Sequence, residues 1–237
     1  MIKSIFIFVI SLASAIGQTT LLNRMKIVDP NPYFFQVLQE TFYEVEQRGW
    51  SSFRLADFTQ QLNEITHTNM LVTGNVSYSN GFLVSIEKID LNAVSTFISH
   101  PLVDGVPVTT ATVRGTVNLR DARVGYDAVT NITSDNGKQR RYTGIFTHTL
   151  IQGIYQISRN MNTNETSVAY TNHGVSGGSG VRMVYLPTDE ISEILSLRFE
   201  ATSSFTPTRN WFANEIQAIL LDVATNKVPF PEVCFNC

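Results

Sequence analysis

The segment Gly174-Val175-Ser176-Gly177-Gly178 fits the G-x-S-x-G pattern that presents a serine nucleophile on a sharp turn, and with Ser179 it approaches the nucleophile loop of trypsin-like proteases. A serine hydroxyl needs a histidine to take its proton. His67, His100, His148 and His173 all precede Ser176, whereas an α/β-hydrolase places its histidine after the serine. A trypsin-like order tolerates an earlier histidine, but Val175 stands where that loop carries aspartate. Glycines linking two strands account for the segment, so no catalytic residue is assigned and the chain is read as no enzyme. The histidines are scattered singly, without a ligand spacing such as i, i+4 beside a carboxylate, so neither a metal site nor a cofactor is expected. Dispersed acidic residues give no readable carboxylate pair for glycoside hydrolysis.

Cys234 and Cys237 are the two cysteines. At the end of the chain they cannot staple the fold, supply too few ligands for structural zinc, and lack the following helix that activates a thioredoxin-type pair. A local disulfide formed in an oxidising compartment is the expectation. N-glycosylation sequons start at Asn75, Asn131 and Asn164. Three is about what this Asn, Ser and Thr content gives by chance, but Asn75 falls on the polar parity of its strand and the other two fall in expected loops.

The elements that must position these residues follow from periodicity. Asn31 can cap and Pro32 open a helix carrying Phe35, Leu38, Phe42 and Val45 at three- and four-residue intervals, ended by Gly49. From about Leu62 to Met183 the pattern turns to strands. Met70, Val72, Val76 and Tyr78 share one parity, Ser79-Asn80-Gly81 offers a tight hairpin turn, and Phe82, Val84 and Ile86 begin a return strand whose slip to Ile89 and Leu91 suggests a bulge near Glu87. Two long strands run from about Val108 to Val129 and from Arg140 to Ile157, joined at Asp135-Asn136-Gly137. The apolar parity of the first changes between Leu119 and Val124, which demands a kink near Asp121. Shorter strands follow around 166–171 and 181–186. Thr188-Asp189-Glu190 then starts a helix with Ile191, Ile194, Leu195 and Phe199, and Thr208 can cap another with the stripe Phe212, Ile216, Ile219, Leu220 and Val223, stopped by Pro229. No repeat or linker divides the chain.

Composition narrows the function. The 237 residues carry a net charge of −3, so no basic field holds nucleic acid. With 43% apolar and 16% charged residues, the chain can build a sizeable core. Lys3, the apolar run from Ile5 to Leu12 and Ala13-Ser14-Ala15 form an export signal over residues 1–17, with the mature chain starting near Ile16 or Gln18. That run is far shorter than the roughly 20 residues needed to cross a bilayer, so a secreted protein without stable membrane insertion is expected. Residues 18–237 then form one domain.

The stretch Leu55-Ala56-Asp57-Phe58, Val72-Thr73-Gly74-Asn75-Val76 and Ser79-Asn80-Gly81-Phe82-Leu83 resembles the opening hairpin of the group 7 mite allergens and their insect relatives. That family belongs with the takeout, juvenile-hormone-binding and bactericidal permeability-increasing proteins. The similarity extends from about Pro32 to Val228. It implies an α+β fold in which a long, highly curved antiparallel sheet wraps a long C-terminal helix, with an N-terminal helix, around a tunnel for a hydrophobic or lipid-like ligand. The expected tunnel residues are Val113, Val117, Phe146, Leu150 and Ile154 on the strands, facing Phe212, Ile216, Ile219 and Leu220. The chain lacks the N-terminal disulfide usual in takeout and hormone-binding members, and its Cys234–Cys237 tail is no mark of the family, so the group 7 branch is the better match. Periodicity alone also permits the two apolar faces to close on each other, giving a recognition or adhesion module with a solid core.

Overall fold

The computed structural model describes residues 25–49, 54–67, 70–133, 138–176, 182–235 and 237. The export segment, the Asp135-Asn136-Gly137 turn and Gly177-Gly178 lie outside them, as does the side chain of Ser176, the last residue of its strand.

One open antiparallel sheet of eight strands organises the chain. Its strands are β2 (Arg54–Leu55), β3 (Phe58–His67), β4 (Met70–Ser85), β5 (Lys88–Ser99), β8 (Thr110–Ile132), β9 (Gln139–Asn160), β10 (Thr166–Ser176) and β11 (Val184–Leu186). β8 is the long member around which the rest is arranged. β4 and β5 lie end to end along one side of it, Gly74 to Ser85 against Ile132 to Arg123 and Lys88 to Ser99 against Arg120 to Thr110. β9 runs along its other side, from Asn131↔Gln139 to Thr110↔Asn160. β2 and β3 flank β4, while β10 and β11 flank β9.

This corrects the expected hairpin at Ser79-Asn80-Gly81. Asn80 has φ 53° and the register shifts between Ser79 and Phe82, so the three residues make a bulge inside β4 and the chain runs on in the same direction. The bulge moves the inward parity from Val76 and Tyr78 to Leu83, a second register shift between Leu83 and Ser85 brings Ile86 against the core, and the step from Ile86 to Ile89 and Leu91 falls at Glu87, where the slip was expected. Glycine is required at its third position, because a Cβ on Gly81 would lie 2.3 Å from the Tyr126 ring. The kink expected in β8 falls at Asp121, whose φ is 50°. Odd residues from Ala111 to Leu119 are buried before it, and even residues from Ala122 to Ile132 after it.

Helices cover the inward face of the sheet. α1 (Pro30–Arg48) starts two residues earlier than expected, after Asp29, with Pro30 in its first turn, and ends at Gly49 with φ 80°. Its buried side chains are Tyr33, Phe34, Val37, Leu38, Thr41, Phe42 and Val45. Phe34 lies over β8, where a Cβ on Gly115 would meet its ring at 2.3 Å. α2 (Glu190–Arg198) is started by Asp189, which accepts from the Ser192 N–H at 2.8 Å while the Ser192 hydroxyl accepts from the Asp189 N–H at 2.7 Å. The buried Gln60 amide ties the far end of α2 to β3, donating to the Arg198 carbonyl and accepting from the Glu200 N–H.

Residues 201–226 form one helical run: a 3-10 turn, α3 (Phe205–Trp211), a π turn over Phe212–Ile216, and α4 (Gln217–Asn226). Thr208 is therefore inside the run, donating to the Ser204 carbonyl, and not its cap. The terminal strands β1 (Lys26–Ile27) and β12 (Val233–Cys234) pair with each other, as do β6 (Leu102–Val103) and β7 (Val106–Pro107), and Cys234 is bonded to Cys237. No helix among the described residues is long and apolar enough to cross a membrane.

Candidate functional site

The residues expected to line a tunnel are only partly brought together. Val113, Val117, Phe146, Phe212, Ile216, Ile219 and Leu220 all belong to the buried cluster between sheet and helices. Leu150 and Ile154 point the other way. β9 changes parity opposite the Asp121 kink, because it keeps its register with β8 across the kink, from Arg120↔Leu150 to Ala122↔His148, and so follows the change of buried face in β8. Beyond that step the inward residues are Ile151, Gly153, Tyr155 and Ile157, while Leu150 is half-buried on the outer face and Ile154 sits there between Thr116 and Thr171.

Where inward residues of β9 meet the C-terminal helical run, packing is dense. A Cβ on Gly153 would come within 2.6 Å of the Tyr170 ring and 2.7 Å of the Phe212 ring. Tyr155 stacks on Phe212 with ring centroids 5.6 Å apart and donates its hydroxyl to the Phe212 carbonyl at 2.8 Å. The π turn loosens the i→i+4 ladder at this point, and the buried tyrosine supplies a donor there. Burial also holds the Tyr155 hydroxyl well above its ordinary pKa.

His148 lies on the other side of the β9 step and is fully buried. Its Nε2 lies 3.4 Å from Ser204 Oγ and 3.3 Å from Thr208 Oγ1. Both hydroxyls give their protons to helix carbonyls, of Ala201 and Ser204, each at 2.8 Å. They therefore face the ring as acceptors, which places its proton on Nε2. Nδ1 is left as a buried acceptor without a hydrogen-bond partner among the described residues, beside the rings of Phe146 and Phe205. Burial lowers the pKa of His148 to about 4, so the ring is neutral at pH 7. A serine thus lies beside a histidine, but the ring donates toward it and cannot accept its proton. Nor is Ser204 open to solvent.

Other polar groups between the layers serve the fold. Tyr78 and Tyr185 share a hydrogen bond of 2.7 Å between hydroxyls. Burial raises the Asp189 carboxyl, but the Ser192 N–H, the Tyr142 hydroxyl and the Arg140 guanidinium together hold it below its ordinary value. Among the described residues no three His, Cys, Asp or Glu side chains come together as metal ligands.

An apolar concavity lies elsewhere, along the outer side of α1. A groove of about 510 Å³ runs between this helix and β5, lined by Phe35, Leu38, Phe42 and Tyr43 on one wall and Ile89 and Leu91 on the other, with Gln39, Glu40 and Glu46 also on its surface. Phe35 is 57% exposed, Tyr43 54% and Ile89 38%. The expected single stripe of α1 placed Phe35 inside; the helix instead turns Tyr33 and Phe34 into the core and sets Phe35 and Tyr43 outward. The signal available in the sequence was the density of aromatic residues, Tyr33, Phe34, Phe35, Phe42 and Tyr43, which one core-facing stripe cannot accommodate.

The sequons are also placed. Asn75 and Asn131 are direct cross-strand partners in β4 and β8, with Asn75 half-buried and Asn131 exposed at the end of its strand. Asn164 is exposed in the turn after β9 with φ 62°. Compared with protein-family models and with curated proteins, the chain matches none.

Proposed function

We propose that this is a secreted, non-enzymatic binding protein for a small hydrophobic or lipid-like ligand, held in the groove between α1 and β5. The observation that carries this reading is the pair of exposed aromatic side chains, Phe35 and Tyr43, facing the partly exposed Ile89 across an apolar trough. Leaving such surface in water costs about 25 cal/mol per Å², and covering it with a ligand recovers that free energy. The groove volume falls within the roughly 300–1,000 Å³ usual for small-molecule sites.

The fold supports the same reading at a coarser level. β8, with 23 residues, would span roughly 75 Å if straight, whereas a globule of this size has a diameter of about 45 Å. The bulge at Asn80, the kink at Asp121 and the parity step in β9 are the devices that let such strands curve, so we read the sheet as a curved wall around the C-terminal helical run, in the manner of the group 7 allergen and takeout proteins it resembles. Density at Gly153 supports a filled interior at that layer and so favours a ligand held outside it. The short apolar leader and three sequons fit export and glycosylation.

The test is binding of an apolar fluorophore such as N-phenyl-1-naphthylamine. Phe35→Ser with Tyr43→Ser should weaken binding at least tenfold while stability changes by no more than about 0.5 kcal/mol per site, as for exposed positions. Unchanged binding in the double variant would remove the groove from consideration.

A further inference from the structure

We infer that the groove selects amphiphiles with a cationic polar end, a primary or quaternary alkylammonium, over fatty-acid carboxylates; this rests on the groove being the binding site. Among the described residues its lining carries Glu40 and Glu46 and no lysine or arginine. Lys227, Lys88 and Arg120, among the described residues, are committed to other carboxylates. Lys227 is held by Glu44 and lies in the field of Asp222 and Glu40, so this side of α1 stays negative around it. Lys88 and Arg120 both pair with Asp90, which alternates with Ile89 and Leu91 along β5 and so points to the opposite face. Arg48, in the last turn of α1, does not line the groove.

Aromatic chemistry points the same way. Phe35 and Tyr43 are exposed aromatic rings in the lining, and the negative quadrupole of a ring face attracts a cation and repels an anion. A carboxylate headgroup would meet like charge from Glu40 and Glu46, with the Gln39 amide as the side-chain N–H donor in the lining. An alkylammonium would meet attraction from both carboxylates and from the rings. Each contact is weak at a half-exposed surface, and two carboxylates plus one ring contact amount to roughly tenfold in affinity.

The experiment displaces N-phenyl-1-naphthylamine from the full chain with dodecyltrimethylammonium, dodecanol and dodecanoate, each below its micelle concentration. The cation should displace the fluorophore at about one tenth of the dodecanoate concentration, with dodecanol between them. Glu40→Gln with Glu46→Gln should bring the two charged competitors to within about twofold of each other and leave dodecanol unchanged, and higher salt should narrow the gap in the parent. A carboxylate that competes as well as the cation, or a preference that survives both substitutions, overturns this inference while leaving the binding reading intact. Failure of the fluorophore to bind the parent overturns both.

Discussion

Acidification should destabilise the protein through His148. The unfolded imidazole titrates near its ordinary 6.5, whereas burial lowers the folded ring to about 4. Between those values the unfolded chain takes up a proton that the folded one refuses. The stability contributed by the neutral ring is therefore intact above pH 6.5, declines as the pH falls, and is fully lost below about pH 4. The shift corresponds to about 3 kcal/mol at 1.36 kcal/mol per pKa unit. His148→Gln isolates the effect, because its amide can still donate toward Ser204 and Thr208 but does not titrate. Urea denaturation at intervals between pH 7.5 and 4 should show the parent losing about 3 kcal/mol more than the variant, with the divergence beginning near pH 6.5. Carboxylates titrate in both proteins and cancel in the difference. Parallel curves would refute the assignment of a neutral, water-excluded histidine.

Three further outcomes follow from the packing and register. Gly153→Ala pushes a methyl into the Tyr170 and Phe212 rings and should cost on the order of 1–3 kcal/mol by overpacking, measured by thermal or urea unfolding. Tyr155→Phe leaves the buried Phe212 carbonyl without its side-chain donor, and the same assay should register a loss of about 1–3 kcal/mol. In a glycosylating host, Asn75 and Asn131 should share one glycan between them, since opposed residues have Cβ atoms only about 5 Å apart; glycopeptide mass spectrometry of Asn131→Gln should show Asn75 occupancy rising, and two glycans on one parent molecule would contradict this.

Much of the architecture was legible because a strand with one buried face must keep its apolar residues on one parity. The change from Leu119 to Val124 forced the kink that Asp121 supplies. The same logic, carried across the ladder, would have caught the step in β9: a partner of a kinked strand must change parity too, so Phe146 cannot be extended to Leu150 and Ile154. Asn80-Gly81 misled for a chemical reason, since Asn and Gly satisfy a left-handed bulge as readily as a hairpin turn, and only the pairing with β8 distinguishes them. Thr208 reads as a cap but bonds backward inside a helix, where threonine hydroxyls can reach the carbonyl four residues before. The candidate site was least legible, because Phe35 fits the i, i+3 spacing of the core stripe as well as Phe34 does. Which of two adjacent aromatics turns inward is decided by Gly115, a contact far along the chain.

We propose that the ligand occupies the outer side of α1 and not the space between sheet and C-terminal helix. Photolabelling the full chain with a diazirine-bearing dodecylammonium, followed by peptide mapping, tests it most directly. Labels should fall within residues 35–46 and 89–91, and excess dodecyltrimethylammonium should remove them. Labels concentrated on Phe212, Ile216, Ile219 and Leu220, or none that the competitor removes, would contradict it.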